Sequence, residues 1–174
     1  MEAVIRKWKK SDAKSVAKYA NNENIAKNLR NVFPYPYTLA DAEGYVYDCV
    51  ERGDDRRLVR AIEVNKEAVG SIGIFLGCDV AEKSAELGYW LAEKYWKQGI
   101  MSSAVKQLCA EAFLTFDLVR IYAEPFSYNE GSKAVLKKAG FTYEGTMRSS
   151  VFKNGRMFDQ CLYSLLKNEI GSIH

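Results

Sequence analysis

Hydrophobic and polar residues alternate with a strand period at the start of the chain and then with a helical period. Residues 4–8 predict a first strand, and Ser11 is placed to cap a helix that runs to Ala20. A shorter helix is predicted over 22–29, before a loop at 31–37 that two prolines break. This order of elements is typical of an α/β protein.

The central part of the chain predicts a capped helix followed by strands. Residues 38–41 resemble a capping box and open a helix that runs to about Arg52. Alternating residues at 58–64 and 68–76 predict two antiparallel strands joined by a short turn. After a polar loop, a further strand is predicted at 85–91.

The next helix and strand suggest a binding cleft. Apolar residues recur at helical spacing after Gly99, which predicts a helix with one face on a sheet: Met101, Ala104, Val105, Leu108 and Ala112. The strand predicted at 119–123 should lie parallel to 85–91, because the helix supplies the crossover that parallel strands need. We therefore expect a wedge between these two strands.

The last third of the chain predicts another helix and a hairpin. The helix begins near Ser132 and ends at Gly140, a residue suited to the position just past a helix C-terminus. Asn154-Gly155 is a strong signal for a type I′ turn between strands near 148–152 and 157–165.

The composition narrows the class of protein. With 174 residues, of which 48% are hydrophobic and 27% charged, residues 1–174 are predicted to form a single domain. No apolar run approaches the length of a membrane span and no signal peptide is visible, so we expect a cytoplasmic protein without membrane contact. A net charge of +3 is too small to indicate direct nucleic-acid binding, but it favours an anionic cofactor.

Side chains that usually bind metals or transfer protons are scarce. The cysteines lie far apart without ligand spacing, so we expect free, buried thiols and no metal: Cys49, Cys78, Cys109 and Cys161. The single histidine is His174, which argues against a histidine base, a Ser-His-Asp triad or a histidine-bound metal. Proton transfer is therefore expected to use carboxylates, hydroxyls, phenols or water.

Two segments have the features of a pyrophosphate site. The turn at 98–103 opens a helix, and its free N–H groups beside Gly99 favour phosphate, although an ordinary turn also explains this glycine. Asn129 either caps the following helix or orients a cofactor beside the Ser132 hydroxyl. Their combination, 129 − 99 = 30 residues apart, favours cofactor binding.

The run from Glu86 to Gly145 contains YWL, WKQGIMSSAV, NxxS and AGFxxEG. In these motifs it resembles the GNAT superfamily of acyl-CoA-dependent N-acetyltransferases, specifically the ribosomal-protein N-terminal acetyltransferase branch. The resemblance implies an α/β (α+β) fold with a mixed central sheet of about seven strands, a splayed parallel pair and flanking helices. It also implies acetyl-CoA as acetyl donor, an amine acceptor, and a homodimer as the alternative to a monomer.

The resemblance implies roles for individual residues. Trp90 and Leu91 would offer backbone groups to pantetheine, and Asn129 would orient the cofactor. Leu136 stands where many members have a tyrosine that protonates the leaving thiolate, and the resemblance to this branch implies that Ser132, the serine of NxxS, takes that role. The phosphates would be cradled by the turn and first helical residues: Gln98, Gly99, Ile100, Met101, Ser102 and Ser103. Within this turn, Trp96 and Met101 depart from the usual superfamily pattern.

The general base and the acceptor site are less well defined by the sequence. Glu86 on the central strand is the first choice of base, the alternative being an ordinary solvated or ion-paired residue. The branch can place a carboxylate base near Val151, which this chain lacks. The acceptor site is expected along the loop that carries Arg30, Phe33 and Tyr35, although these aromatics could instead cover the edge of the core.

We therefore predict direct transfer of acetyl from acetyl-CoA to a primary amine, such as a protein N-terminal α-amine. Two alternatives remain open, namely an acetyltransferase of small amines or antibiotics and a non-catalytic acyl-CoA sensor.

Overall fold

One mixed β-sheet organises residues 3–172, which are the residues that the computed structural model describes; His174 lies outside them. Within this range the strand order is β1-β2-β3-β4-β5-β7-β6. The strands are β1 (Ala3–Arg6), β2 (Arg57–Val64), β3 (Glu67–Leu76), β4 (Ser84–Leu91), β5 (Arg120–Ala123), β6 (Thr142–Lys153) and β7 (Arg156–Leu166). The helices are α1 (Ala13–Ala20), α2 (Glu23–Ala26), α3 (Leu39–Glu51), α4 (Ile100–Thr115) and α5 (Glu130–Lys138).

Strands β4 and β5 are parallel but separate soon after they meet. Their pairing runs from Ser84–Arg120 to Glu86–Tyr122, whereas β4 itself continues to Leu91. After β5 the chain leaves β4 and runs beside β7, where the Cys161 N–H donates to the Pro125 carbonyl at 2.9 Å. We call the gap between residues 87–91 and residues 124–126 the wedge. The splayed parallel pair predicted from the sequence is confirmed.

The helices cover both faces of the sheet. Tyr89 of β4 contacts α5, whereas Ser71 of β3, which is paired with Trp90, contacts Tyr45 of α3. Since successive residues of a strand point to opposite faces, α5 and α3 lie on opposite sides of the sheet. Fully buried side chains fill both layers between helices and sheet: Val16, Val46, Ile72, Leu108, Ile121 and Leu136.

Most locally encoded elements lie where the sequence places them. The capping box is formed, because the Thr38 side chain accepts from the Asp41 N–H and the Asp41 carboxylate accepts from Thr38. Asn154 and Gly155 have φ values of +50° and +75°, as a type I′ turn requires. The strand leading into this turn is longer than predicted, since β6 begins at Thr142.

Some local predictions were wrong. Ser11 does not cap α1; it lies in a short 3₁₀ turn, and Asp12 is the N-cap residue. The Asp12 carboxylate is held by Arg6 at 2.8 Å and by the Lys9 N–H at 2.9 Å, which fixes the chain direction at this point. Cys109 and Cys161 are buried as expected, whereas Cys78 is exposed.

Glu144 ties the far strands of the sheet together. Its carboxylate receives two hydrogen bonds from Arg120 of β5, at 2.5 and 2.9 Å, and another from the Ser164 hydroxyl of β7. The Arg120 guanidinium, helped by Ser164, lowers the pKa of Glu144 from 4.5 to about 2. This glutamate therefore has a structural role in β-sheet pairing and is too acidic to serve as a base.

We expect the Glu144→Gln variant to be less stable than the parent protein at neutral pH. A carboxyl whose pKa is lowered on folding stabilises the fold above its unfolded pKa and loses that effect as pH falls towards its folded pKa. The difference in unfolding free energy should therefore shrink between pH 4.5 and about 2. Urea unfolding followed by circular dichroism measures it, and a difference that stays constant over this range would contradict the role of the ionised carboxylate.

Candidate active site

Backbone groups of β4 line one side of the wedge. The Ala92 N–H donates to the Val69 carbonyl of β3 at 2.8 Å, and hydrogen-bonding direction alternates along a strand. Trp90, paired with Ser71, therefore turns its backbone to β3, whereas Tyr89 and Leu91 turn theirs to the wedge. The sequence predicts that Trp90 and Leu91 offer backbone groups to pantetheine. The structure directs the backbone groups of Tyr89, not those of Trp90, to the wedge.

The Leu91 carbonyl already has a partner. The Trp96 indole N–H donates to it at 2.8 Å, which anchors the loop that precedes α4 on the last residue of β4. Trp96, one of the two departures from the usual turn pattern, thus fixes the position of the turn relative to the wedge. The N–H group of Leu91 remains directed to the wedge by the same alternation.

The turn at the start of α4 has the geometry of an anion site. Gly99 is the N-cap residue with φ of +79°, a conformation that favours glycine. The first helical hydrogen bond runs from the Ser103 N–H to the Gly99 carbonyl at 3.1 Å, which leaves the N–H groups of residues 100–102 without helical partners. Such groups at a helix N-terminus bind phosphate.

The first side chains of α4 are buried and leave its N-terminal N–H groups uncovered by side-chain partners of their own residues. Ile100, Met101 and Ser102 are buried, and the Ser102 hydroxyl donates to the Gly99 carbonyl at 3.0 Å. These residues can therefore offer backbone N–H groups without filling the site with side-chain atoms. The amide of Gln98 donates to the Lys94 carbonyl at 2.9 Å and so fixes the turn from outside.

Lys138 adds a positive charge that sequence reasoning missed. A Cβ atom built on Gly99 would lie 3.7 Å from the Lys138 Nζ atom. The ammonium at the last turn of α5 thus lies beside Gly99, the N-cap residue of α4, where it would add a counter-charge for a bound pyrophosphate. In the sequence, the one indication of this role is that Lys138 lies two residues before Gly140, where the predicted helix ends.

We expect Lys138→Ala to weaken CoA binding about fivefold, in line with one partly screened charge pair. The loss should diminish as salt concentration rises, because screening already weakens the contact in the parent protein. Calorimetric titration with CoA at low and high salt measures both effects. The matched control is Lys137→Ala, and an equal loss in that variant would show that only the overall charge matters.

Two hydroxyl groups meet beside the wedge. The Tyr89 Oη and Ser132 Oγ atoms lie 2.7 Å apart, and Oη lies 3.4 Å from the Ser132 carbonyl. Asn129 holds Ser132 in place, because its side-chain oxygen accepts from the Ser132 N–H at 3.1 Å as an N-cap. Burial raises the pKa of the Tyr89 phenol, so this group stays protonated at neutral pH.

Glu86 lies where β4 and β5 begin to separate, on the same face as Trp90. Its carboxylate forms an ion pair with Arg30. Burial raises the pKa of Glu86 above 4.5, Arg30 lowers it and Glu124 raises it. Tyr122 is its cross-strand neighbour, and burial with the two carboxylates raises the pKa of that phenol. This carboxylate is thus a better proton acceptor than an ordinary glutamate.

The loop of residues 30–37 covers this side of the wedge. Phe33 packs edge-on against Trp90 with ring centroids 6.0 Å apart, and against Tyr37 at 4.9 Å. Tyr35, by contrast, is 53% exposed. The loop also reaches the β6–β7 hairpin, where the Asn31 amide lies 3.5 Å from the Phe152 carbonyl. Arg30 and Phe33 therefore meet predicted site residues, whereas Tyr35 faces solvent.

The wedge joins these parts into one arrangement. Tyr89, Ser132 and the α4 N-terminus lie on the face of the sheet that α5 covers, and Glu86 with Arg30 lies on the other face. An acyl group held in the wedge would have hydroxyl donors on one side and a carboxylate on the other. This arrangement suits attack by an amine from the Glu86 face and departure of an acidic leaving group on the Ser132 face.

The described residues offer neither a metal cluster nor a membrane-spanning helix. Between residues 3 and 172, no three His, Cys, Asp or Glu side chains cluster in a way that could hold a metal ion. Among the helices described in this range, none is both long and apolar enough to cross a membrane.

Comparison with known proteins identifies the class of this chain. Residues 3–142 match the model of the acetyltransferase (GNAT) domain family. The chain is 34% identical to the uncharacterized N-acetyltransferase YoaA of Bacillus subtilis over 59% of its length and 57% of that protein. It is 29% identical to the uncharacterized N-acetyltransferase p20 of Bacillus licheniformis over 95% of its length and 93% of that protein. The matched part thus spans little more than half of YoaA but nearly all of p20.

Further similarities point to the same group. The chain is 33% identical to the ribosomal-protein-serine acetyltransferase of Escherichia coli over 56% of its length and 54% of that protein. The structure of ribosomal-protein-S5-alanine acetyltransferase from Vibrio fischeri superposes with a TM-score of 0.81 at 25% identity, covering 97% of this chain and 95% of that one. The microcin C7 self-immunity acetyltransferase MccE, solved with acetyl-CoA and AMP, has the same fold with a TM-score of 0.82 at 22% identity, covering 95% and 92%.

The chain belongs to the GNAT family of acetyltransferases. Its family and fold, predicted from the motifs between Glu86 and Gly145, are confirmed, as is the class of its domain, which is an acetyltransferase domain. The predicted acetyl donor agrees with that of MccE, which was solved with acetyl-CoA. The similarity to ribosomal-protein acetyltransferases agrees with the predicted branch.

Proposed function

We propose that this protein transfers the acetyl group of acetyl-CoA directly to a primary amine that binds on the Glu86 face of the wedge. The observation that carries the proposal is the placement of Glu86 and the Tyr89–Ser132 hydroxyl pair on opposite faces of the sheet at the point where β4 and β5 separate. No covalent acyl-enzyme is needed, because the wedge can hold the thioester within reach of both faces.

The residues present fit acetyl-CoA. Free N–H groups at the start of α4 and the nearby Lys138 ammonium suit its pyrophosphate. The wedge-facing backbone groups of Tyr89 and the N–H group of Leu91 suit the amides of its pantetheine arm, which would bind in the manner of an added strand. Asn129 shapes this region by capping α5 and does not need to contact the cofactor.

Glu86 and Ser132 divide the proton transfers. An ammonium group cannot attack, so Glu86 takes one proton from the acceptor amine, directly or through water. The C–N bond forms as the C–S bond breaks, and a wedge-facing N–H stabilises the oxygen of the transition state. Ser132 gives its proton to the leaving thiolate and regains one from water. The ammonium group loses two protons on its way to the amide, one to Glu86 before the attack and one to water after the C–N bond has formed. The leaving thiolate gains one proton, so the reaction releases one proton to solvent.

We favour a protein N-terminal α-amine as the acceptor. The similarity to ribosomal-protein-serine acetyltransferase supports this class, and Tyr35 of the loop that carries Arg30 is exposed and available to a chain end. A small polyamine is the second candidate, because the carboxylates of Glu86 and Glu124 both act on Tyr122 beside the wedge.

Two measurements test the proposal. Calorimetric titration with acetyl-CoA and CoA, with ATP as comparator, should give binding of the two CoA compounds and little of ATP. Thiol release with peptides bearing free or blocked N-termini, and with polyamines, should then identify the acceptor class. Cofactor binding without turnover across the panel would favour an acyl-CoA sensor, and absence of cofactor binding by folded protein would overturn the proposal.

A further inference from the structure

Tyr89 and Ser132 form a hydroxyl pair that joins β4 to α5 beside the wedge. Their oxygen atoms lie 2.7 Å apart although the residues are separated by 43 positions in the chain. Both are fixed independently, Tyr89 by the pairing of β4 with β3 and Ser132 by the N-cap from Asn129. Neither hydroxyl therefore has to move to make the contact.

The direction of the hydrogen bond determines where the serine proton points. A serine hydroxyl has one proton and can accept two hydrogen bonds, and a phenol is the more acidic of the two groups. Either hydroxyl could be the donor in this contact, but the phenol is the more acidic group and burial keeps it protonated at neutral pH, so it is the better donor to Ser132 Oγ. With its oxygen occupied as acceptor, Ser132 is left with its own proton free for another partner.

We propose that Tyr89 is a positioning residue that donates a hydrogen bond to Ser132 Oγ and so directs the serine proton into the wedge, towards the leaving sulfur of CoA. This inference rests on the proposed function and adds to it a residue from β4. Tyr89 itself does not ionise: the Ser132 O–H bond breaks as the S–H bond forms, and the serine oxygen regains a proton from water. Leu136, which stands where many family members have a tyrosine, is apolar and fully buried and cannot make this hydrogen bond, so Tyr89 of β4 provides the phenol of the site.

The chain provides a matched control for this pair. Tyr45 of α3 and Ser71 of β3 have hydroxyl oxygens 2.6 Å apart on the opposite face of the sheet. Burial also raises the pKa of the Tyr45 phenol. Tyr45→Phe removes a hydrogen bond of the same kind from a second buried tyrosine–serine pair. It therefore measures how much losing such a bond lowers the stability of the fold, without affecting the site.

A double-mutant cycle tests whether Tyr89 acts through Ser132. We expect Tyr89→Phe to lower kcat about fivefold, the usual effect of one neutral hydrogen bond, with the KM for acetyl-CoA within about twofold of the parent. In a Ser132→Ala background the same substitution should have almost no further effect on kcat. Tyr45→Phe should leave kcat unchanged while lowering thermal stability to a similar extent. Equal effects of Tyr89→Phe in both backgrounds would overturn the inference.

A second readout requires binding but no turnover. The pKa of the CoA thiol in the complex is measured by the ultraviolet absorbance of its thiolate. A directed serine hydroxyl stabilises the thiolate, so this pKa should be about one pH unit lower in the parent protein than in Tyr89→Phe or Ser132→Ala. Tyr45→Phe should match the parent.

The two failures are distinguishable. If the parent protein binds CoA and turns over an acceptor but Tyr89→Phe matches it in kcat and in thiol pKa, only the role of Tyr89 is overturned. If the parent binds neither acetyl-CoA nor CoA, the proposed function is overturned, and the assignment of Tyr89 with it.

Discussion

Gly99→Glu is expected to weaken CoA binding about a hundredfold, through repulsion between the new carboxylate and the pyrophosphate at the start of α4. The carboxylate would also compete for Lys138, whose Nζ atom lies 3.7 Å from the position of the new Cβ. The new carboxylate would also lie near the free N–H groups of residues 100–102 and compete with the pyrophosphate for them. Calorimetric titration with CoA measures the loss.

The control for this substitution must add the same backbone strain and the same charge at a position away from the start of α4. Gly155 has φ of +75° against +79° for Gly99, and no heavy atom lies within 4 Å of a Cβ built on it. Gly155→Glu should therefore lose comparable stability and keep its affinity for CoA. Gly99→Ala, which adds strain without charge, should fall between the two. Unchanged affinity in a folded Gly99→Glu protein would place the pyrophosphate elsewhere.

Glu86→Gln is expected to lower turnover about a hundredfold, the lower end of the range for loss of a general base. The amide keeps the size of the side chain and a hydrogen bond to Arg30 but cannot accept the amine proton. CoA affinity should stay within about twofold, since Glu86 lies on the face of the sheet opposite Ser132. The control is Glu67→Gln on β3, which removes a carboxylate that accepts a hydrogen bond from the Tyr19 hydroxyl at 2.6 Å. This variant should leave turnover unchanged.

The pH profile provides an independent check on Glu86. A base works when deprotonated, so kcat/KM should fall as pH drops through the pKa of Glu86, which burial raises above 4.5. Arg30 lowers that pKa, so Arg30→Gln should move the acidic limb of the profile to higher pH. A Glu86→Gln protein with the turnover and profile of the parent would assign the base role to water or to another group.

The ion pair with Arg30 also bears on how the acceptor enters. Arg30 is a cation on the carboxylate that the proposed mechanism assigns to a cationic amine. Under the proposed mechanism the two cations compete for Glu86, and an incoming ammonium group would displace the arginine side chain, which is 66% exposed. On this proposal, the loop that carries Arg30 contributes to acceptor binding by exchanging one cation for another.

Local signals in the sequence determined the elements and the anion turn. The Thr38–Asp41 capping box, the Asn154-Gly155 turn and Gly99 each act within a few residues, so their conformations are encoded where they stand. The helix between two predicted strands also implied a parallel pair, because no shorter connection can join parallel strands. These features, with the motifs around them, were sufficient for the fold, the family and the donor.

Only the tertiary structure decided which side chains meet in the site. Tyr89 and Ser132 are separated by 43 positions and Arg30 and Glu86 by 56, and Lys138 reaches Gly99 from a different helix. Their contacts depend on the register of β4, on the place where β5 leaves it and on how α5 packs against the sheet. A shift of one residue in that register would turn Tyr89 to the opposite face and exchange it with Trp90, so these contacts exist only once β4 has paired with β3 in the observed register.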